Sequence, residues 1–67
     1  MNTEIKRTGV MRAARRKLKM TQLALSQRAG CTESLITKIE TGRCLPEAEL
    51  KQRIAEVLGI HTWEVGV

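Results

Sequence analysis

The sequence predicts a single all-α domain of four to five helices. Three observations carry that reading. Apolar residues recur at spacings of three and four in separate stretches, as the buried face of a helix requires. Threonines stand where helices would start, at 21 and 32, and glycines where they would stop, at 30, 42 and 59. The 67 residues leave room for one domain, and a chain of that size buries only about 60% of its unfolded surface.

Taken in order, residues 1–7 show no periodicity and are expected to form a flexible arm, with the domain proper over 8–67. Lys6 and Arg7 on such an arm would be free to follow a phosphate backbone or enter a minor groove. The first helix is expected from Thr8 or Gly9 to Lys17 or Leu18, with Met11, Ala14 and Leu18 as its inner stripe and Met20 packing just after. Arg15 falls on that same side, where a charge demands a partner. Arg12, Arg16, Lys17 and Lys19 are assigned to the outer, basic face.

The second helix is expected from Gln22 to about Arg28. Thr21 precedes it with a hydroxyl able to accept from an orphan N–H of the first turn. Leu25, Ser26 and Ala29 share one face. Gly30 ends the helix, where positive φ is needed and only glycine adopts it without steric cost. Thr32 is the next N-cap. Leu35, Ile36 and Ile39 form the stripe of a third helix that ends near Glu40, ahead of Gly42. Pro46 suits the first position of the fourth helix, with Glu47 and Glu49 at its positive end. Ala48, Leu50, Ile54, Ala55, Val57 and Leu58 supply that helix's stripe, and Gly59 stops it. In the tail IHTWEVGV, Ile60 and Val65 are expected to return to the core through a last helical turn.

Net charge is +5, and its placement says more than its sum. Residues 1–28 hold eight basic side chains against one acidic, +7; residues 29–67 hold four against six, −2. That asymmetry points to one positive face for a polyanion. A membrane surface ranks below nucleic acid, because the basic stretch has few bulky apolar residues to insert. Cys31 and Cys44 form no Cys-x-x-Cys and there is one His, so a four-ligand zinc site cannot be assembled within the chain. Cys31 reads as a small buried hydrophobe. The start, MNTEIKRTGV, lacks the apolar core of a signal peptide, so a cytoplasmic location is expected.

The face of the third helix opposite its stripe carries Glu33, Ser34, Thr37 and Lys38, all polar. Here the residues carry a likeness. The pattern Thr21-Gln22, Leu25, Ser26, Ala29-Gly30, Cys31, Thr32, Ile36, Ile39-Glu40, Gly42-Arg43 resembles the lambda-repressor/Cro family of XRE-type helix-turn-helix regulators. The likeness runs from Arg15 to about Gly59. It implies a lambda-repressor-like fold with the helix-turn-helix at 21–40. It also implies that Arg15 pairs with Glu40, and that Gln22 contacts phosphate at the N-terminus of the second helix. The family often has Gly where Lys19 stands, an apolar residue at Lys51 and a polar one at Leu23.

On that footing Thr32, Glu33, Ser34, Thr37 and Lys38 are the candidates for base contact. Lys38 can donate to guanine O6 and N7, and Glu33 can accept from cytosine N4. Thr21, Gln22, Arg16, Lys17, Thr41, the Gly42 amide and Arg43 are the candidates for phosphate. Trp63, Val65 and Val67 are candidates for a two-fold dimer contact. The function expected is sequence-specific binding of double-stranded DNA and regulation of transcription, as a homodimer on a palindromic operator. The alternative is an antitoxin-like protein-binding module, for which Leu23 and Trp63 would be the exposed contacts. No enzyme is expected: no nucleophile has a base, and no phosphate loop is present. Neither cofactor nor metal nor small-molecule ligand is expected.

Overall fold

The computed structural model of the chain describes residues 5–66, with side chains for residues 9–66. Four α-helices follow one another: α1, Ile5–Lys17; α2, Gln22–Ala29; α3, Glu33–Glu40; α4, Ala48–Leu58. A 3-10 turn, Thr62–Glu64, closes the chain, and there is no strand among the described residues. α2 packs on both α3 and α4, and α1 lies across α3, α4 and the 3-10 turn. The shared core is Met11, Leu25, Ala29, Ile36, Ile39, Leu50, Ile54, Ala55, Leu58 and Val65. No helix among the described residues is long and apolar enough to cross a membrane.

Both threonine caps form as their chemistry requires. Thr21 Oγ1 accepts from the Ala24 N–H at 3.0 Å, and Thr32 Oγ1 from the Leu35 N–H at 3.1 Å. Gly30 takes the left-handed conformation at φ 77° and hands its N–H to Ser26 O. The same end of α2 receives help from a residue far along the chain: Arg53 Nε donates to Ala29 O at 2.8 Å. A cation on an orphan carbonyl at a helix C-terminus is favourable twice, by hydrogen bond and by dipole.

Four expectations are corrected. Residues 5–7 belong to α1 rather than to an arm; Lys6 and Arg7 are straight-chain helix formers with no breaker before Thr8. Residues 1–4, the rest of that arm, lie outside the described residues. Leu18 is 49% exposed and not part of the inner stripe, because α1 has ended and the turn carries it off the helical register. Pro46 stands two residues ahead of α4, with Glu47 as the N-cap. It is buried instead against the chain's end: a Cβ added to Gly66 would lie 2.9 Å from Pro46 Cδ. Val65, finally, is fully buried in the monomer core, so it is no surface for a dimer.

The α1–α2 turn keeps its shape although it carries no glycine. Lys19 sits at φ 56°, the one non-glycine residue with positive φ among the described residues. Its Cβ is crowded against the backbone there, at a cost of about 1–2 kcal/mol. Lys19→Gly is expected to stabilise the fold by about 0.5–1 kcal/mol, the strain relieved less the extra freedom of the unfolded chain. Thermal melting should show the midpoint rising by about 2–8 °C; a fall would mean the lysine side chain contributes more than its backbone costs.

Candidate nucleic-acid interface

α3 is built with two unlike faces. Ile36, Ile39 and Glu40 are buried, while Thr32, Glu33, Ser34, Thr37 and Lys38 are all exposed along the opposite side. Nothing in the described chain covers that polar face. Arg16, Lys17 and Arg43 are exposed as well.

A buried ion pair fixes how α3 is held. Glu40 is 1% exposed and Arg15 9%. Arg15 Nε donates to Glu40 Oε2 at 2.7 Å and Nη2 to Oε1 at 3.2 Å, the two-pronged geometry that a planar guanidinium allows. Its remaining nitrogen, Nη1, donates to Met20 O at 2.9 Å and so ties down the turn into α2. Arg12 Nε stands 3.7 Å from Glu40 Oε1, and Gln22 Nε2 donates to that same oxygen at 3.0 Å. Arg12, assigned by sequence to the outer face, is thus drawn partly inward; it lies one turn before Arg15, on the same side of α1. Burial pushes the Glu40 carboxyl up, but hydrogen bonds from Arg15 and Gln22 and the charges of Arg15 and Arg12 outweigh it. The net shift is downward, and the group stays ionised. No buried side-chain nitrogen or oxygen among the described residues lacks a partner.

Gln22 is where this network reaches the surface. Besides its bond to Glu40, its Oε1 accepts from Thr37 Oγ1 at 2.9 Å. The N-terminus of α2 therefore lies beside the middle of α3's polar face. The Gln22 side chain keeps one amide hydrogen uncommitted beside the N-terminal, positive end of the α2 dipole, which favours an anion. Sequence spacing did not reveal the contacts of Gln22 with Glu40 and Thr37, which join residues eighteen and fifteen apart in the chain.

The hydroxyls on this surface divide into two kinds. Thr21 and Thr32 each use a lone pair as a helix cap, which leaves the proton free to donate. Thr37 and Thr41 instead spend the proton inside the protein. Thr41 Oγ1 donates to Thr37 O at 2.9 Å, with Lys38 O at 3.3 Å. The loop amides are spent too: Gly42 N–H goes to Ile39 O, Arg43 N–H and Cys44 N–H to Lys38 O. These close the orphan carbonyls that end α3. The Thr41 hydroxyl and the Gly42 amide, both expected to meet phosphate, are turned to α3's own carbonyls in this fold. A phosphate oxygen only accepts, and those donors are occupied. Of residues 41–43, the Arg43 side chain is the part left to meet a phosphate.

Trp63 is 67% exposed and stacks on His61, ring centroids 5.4 Å apart and planes 8° from parallel. Val67 lies outside the described residues. Cys31 and Cys44 are free thiols, each half-buried. Burial raises the Cys31 thiol pKa against the opposing charge of Arg53, which favours the protonated form.

A family model described as a helix-turn-helix domain matches residues 9–65. No curated protein and no solved structure matches the chain.

The ion pair makes stability depend on acid. The Glu40 pKa is lower in the folded chain than in the unfolded one, so its stabilisation is complete above the ordinary carboxylate value of about 4.3. It is lost as pH falls through the folded value. Melting curves across that acid range should fall steeply for the native chain. Glu40→Gln, less stable at neutral pH, should show a shallower fall; identical slopes would mean that other carboxylates carry the acid response.

Proposed function

The chain belongs to the helix-turn-helix domain family, and on that premise we propose that it binds specific sequences in duplex DNA and regulates transcription as a homodimer on a palindromic operator. The observation that carries the reading is the polar face of α3, exposed along its length while the residues behind it are buried. Such a helix fits the major groove, where base pairs present distinct patterns of donors and acceptors. Glu33, Ser34, Thr37 and Lys38 would face the bases, with Thr32 at the helix start. Phosphates would be met by the start of α2, at Thr21 and Gln22, and by Arg16, Lys17 and Arg43. Phosphate contacts supply affinity and register; the base contacts supply choice.

The homodimer reading is supported by the exposed Trp63 and by an apolar groove between α1 and the end of α4. The groove holds about 470 Å³ and is lined by Val10, Ala14, Leu18, Leu58 and Ile60, among others. A two-fold axis would set two copies of α3 about 34 Å apart, one turn of the duplex.

Selection of sites from random duplexes tests the whole reading, and an enriched palindrome is the expected result. On the winning site, Lys38→Ala should cost about 1–3 kcal/mol and relax preference at one base pair. An equal loss across all sequences would reassign Lys38 to phosphate. Trp63→Ala should give a folded monomer by light scattering and weaker binding to the palindrome. Failure of any duplex to be enriched, with an unrelated protein held through Leu23 and Trp63 instead, would favour a protein-binding module of the antitoxin kind.

A further inference from the structure

Thr37 lies on the exposed face of α3, yet its hydroxyl proton points into the protein. The reason runs back to the buried ion pair. Glu40, held ionised beside Arg15, can only accept hydrogen bonds. Gln22 must therefore turn its NH₂ toward that carboxylate, at 3.0 Å, and this turns the amide oxygen toward Thr37. An amide oxygen also only accepts, so at 2.9 Å Thr37 has to be the donor. The second acceptor within reach is the Glu33 carbonyl, at 3.2 Å, again part of the protein. Both directions open to the single proton are internal. What remains for a ligand is the oxygen's lone pairs and a methyl group.

We propose that Thr37 reads base pairs as an acceptor only, and that its partner in the major groove is an exocyclic amino group, N6 of adenine or N4 of cytosine. The assignment rests on the DNA-binding reading above. It makes Thr37 and Glu33, one turn apart on α3, a pair of adjacent acceptors, followed by the donor Lys38. Guanine O6, thymine O4 and purine N7 offer Thr37 no hydrogen bond in this arrangement. Thr32 is the contrast on the same helix. One of its lone pairs accepts the Leu35 N–H and its proton is free, so Thr32 keeps a donor for a ligand where Thr37 keeps none.

The test compares sites enriched from random duplexes by the native chain and by Thr37→Val, which keeps the shape and removes the hydroxyl. The base pair whose preference the valine variant loses is the one Thr37 reads. In that pair the amino-bearing base is then replaced by an analogue without the amino group in the major groove, 2-aminopurine for adenine or 2-pyrimidinone for cytosine. The native chain and Thr37→Ser should lose roughly fivefold to tenfold in affinity, as for one hydrogen bond. Thr37→Val should change by less than about twofold, its binding already reduced. Enriched sites that are identical for native and Thr37→Val, or an analogue that costs the native chain nothing, would overturn the polarity while leaving DNA binding in place. No enrichment by the native chain would remove both readings together.

Discussion

Burying a carboxylate costs several kcal/mol unless donors and opposite charge meet its oxygens, and the part of the fold around α3 is arranged to do so for Glu40. Arg15 supplies two donors, Gln22 a third and Arg12 further positive charge. The same guanidinium holds the Met20 carbonyl. One side chain of α1 thus fixes the turn into α2 and the last residue of α3 together. Such a pair is weak evidence for net stability, since a well-packed apolar pair could replace it at little loss. Its effect is on orientation. It ties the last residue of α3 to α1, and through Gln22 it sets the partner of the Thr37 hydroxyl.

The rest of the domain offsets a thin core with well-made helix ends. Among the described residues ten apolar side chains form the core, few for a chain that must also order its backbone. Two hydroxyl caps, each worth about 1 kcal/mol, start α2 and α3. Arg53 closes α2 from the far side of the fold. The strained Lys19 sits in the turn that Arg15 clamps, so the fold tolerates its left-handed backbone where a freer turn would have relaxed.

Electrostatics and hydrogen-bond supply point the same way on the surface. The C-terminal end of α3 is closed by its own loop amides and carries the negative end of the helix dipole, a poor place for phosphate. The opening turn of α2 has free N–H groups and the opposite polarity. Of the eight basic residues among the first 28, six belong to α1, Lys19 to the turn after it and Arg28 to α2, so the excess sits beside α3 rather than on it.

Local chemistry was enough to read most of the fold. Thr21, Gly30 and Thr32 act within one turn of their own position, and the Leu35, Ile36 and Ile39 stripe depends only on helical period. These features therefore placed α2, the turn and α3 without knowledge of the rest of the chain. The pairing of Arg15 with Glu40 was implied by family likeness rather than by spacing, because the two are twenty-five residues apart. Three-dimensional packing alone decided the remainder. It turned Leu18 outward, seated Pro46 against Gly66, buried Val65, spent the amides of residues 42–44 on α3, and gave Thr37 and Thr32 opposite hydrogen-bonding roles. Each of these depends on which donors meet which acceptors across the fold, and a hydroxyl carries no mark in the sequence of where its proton will point.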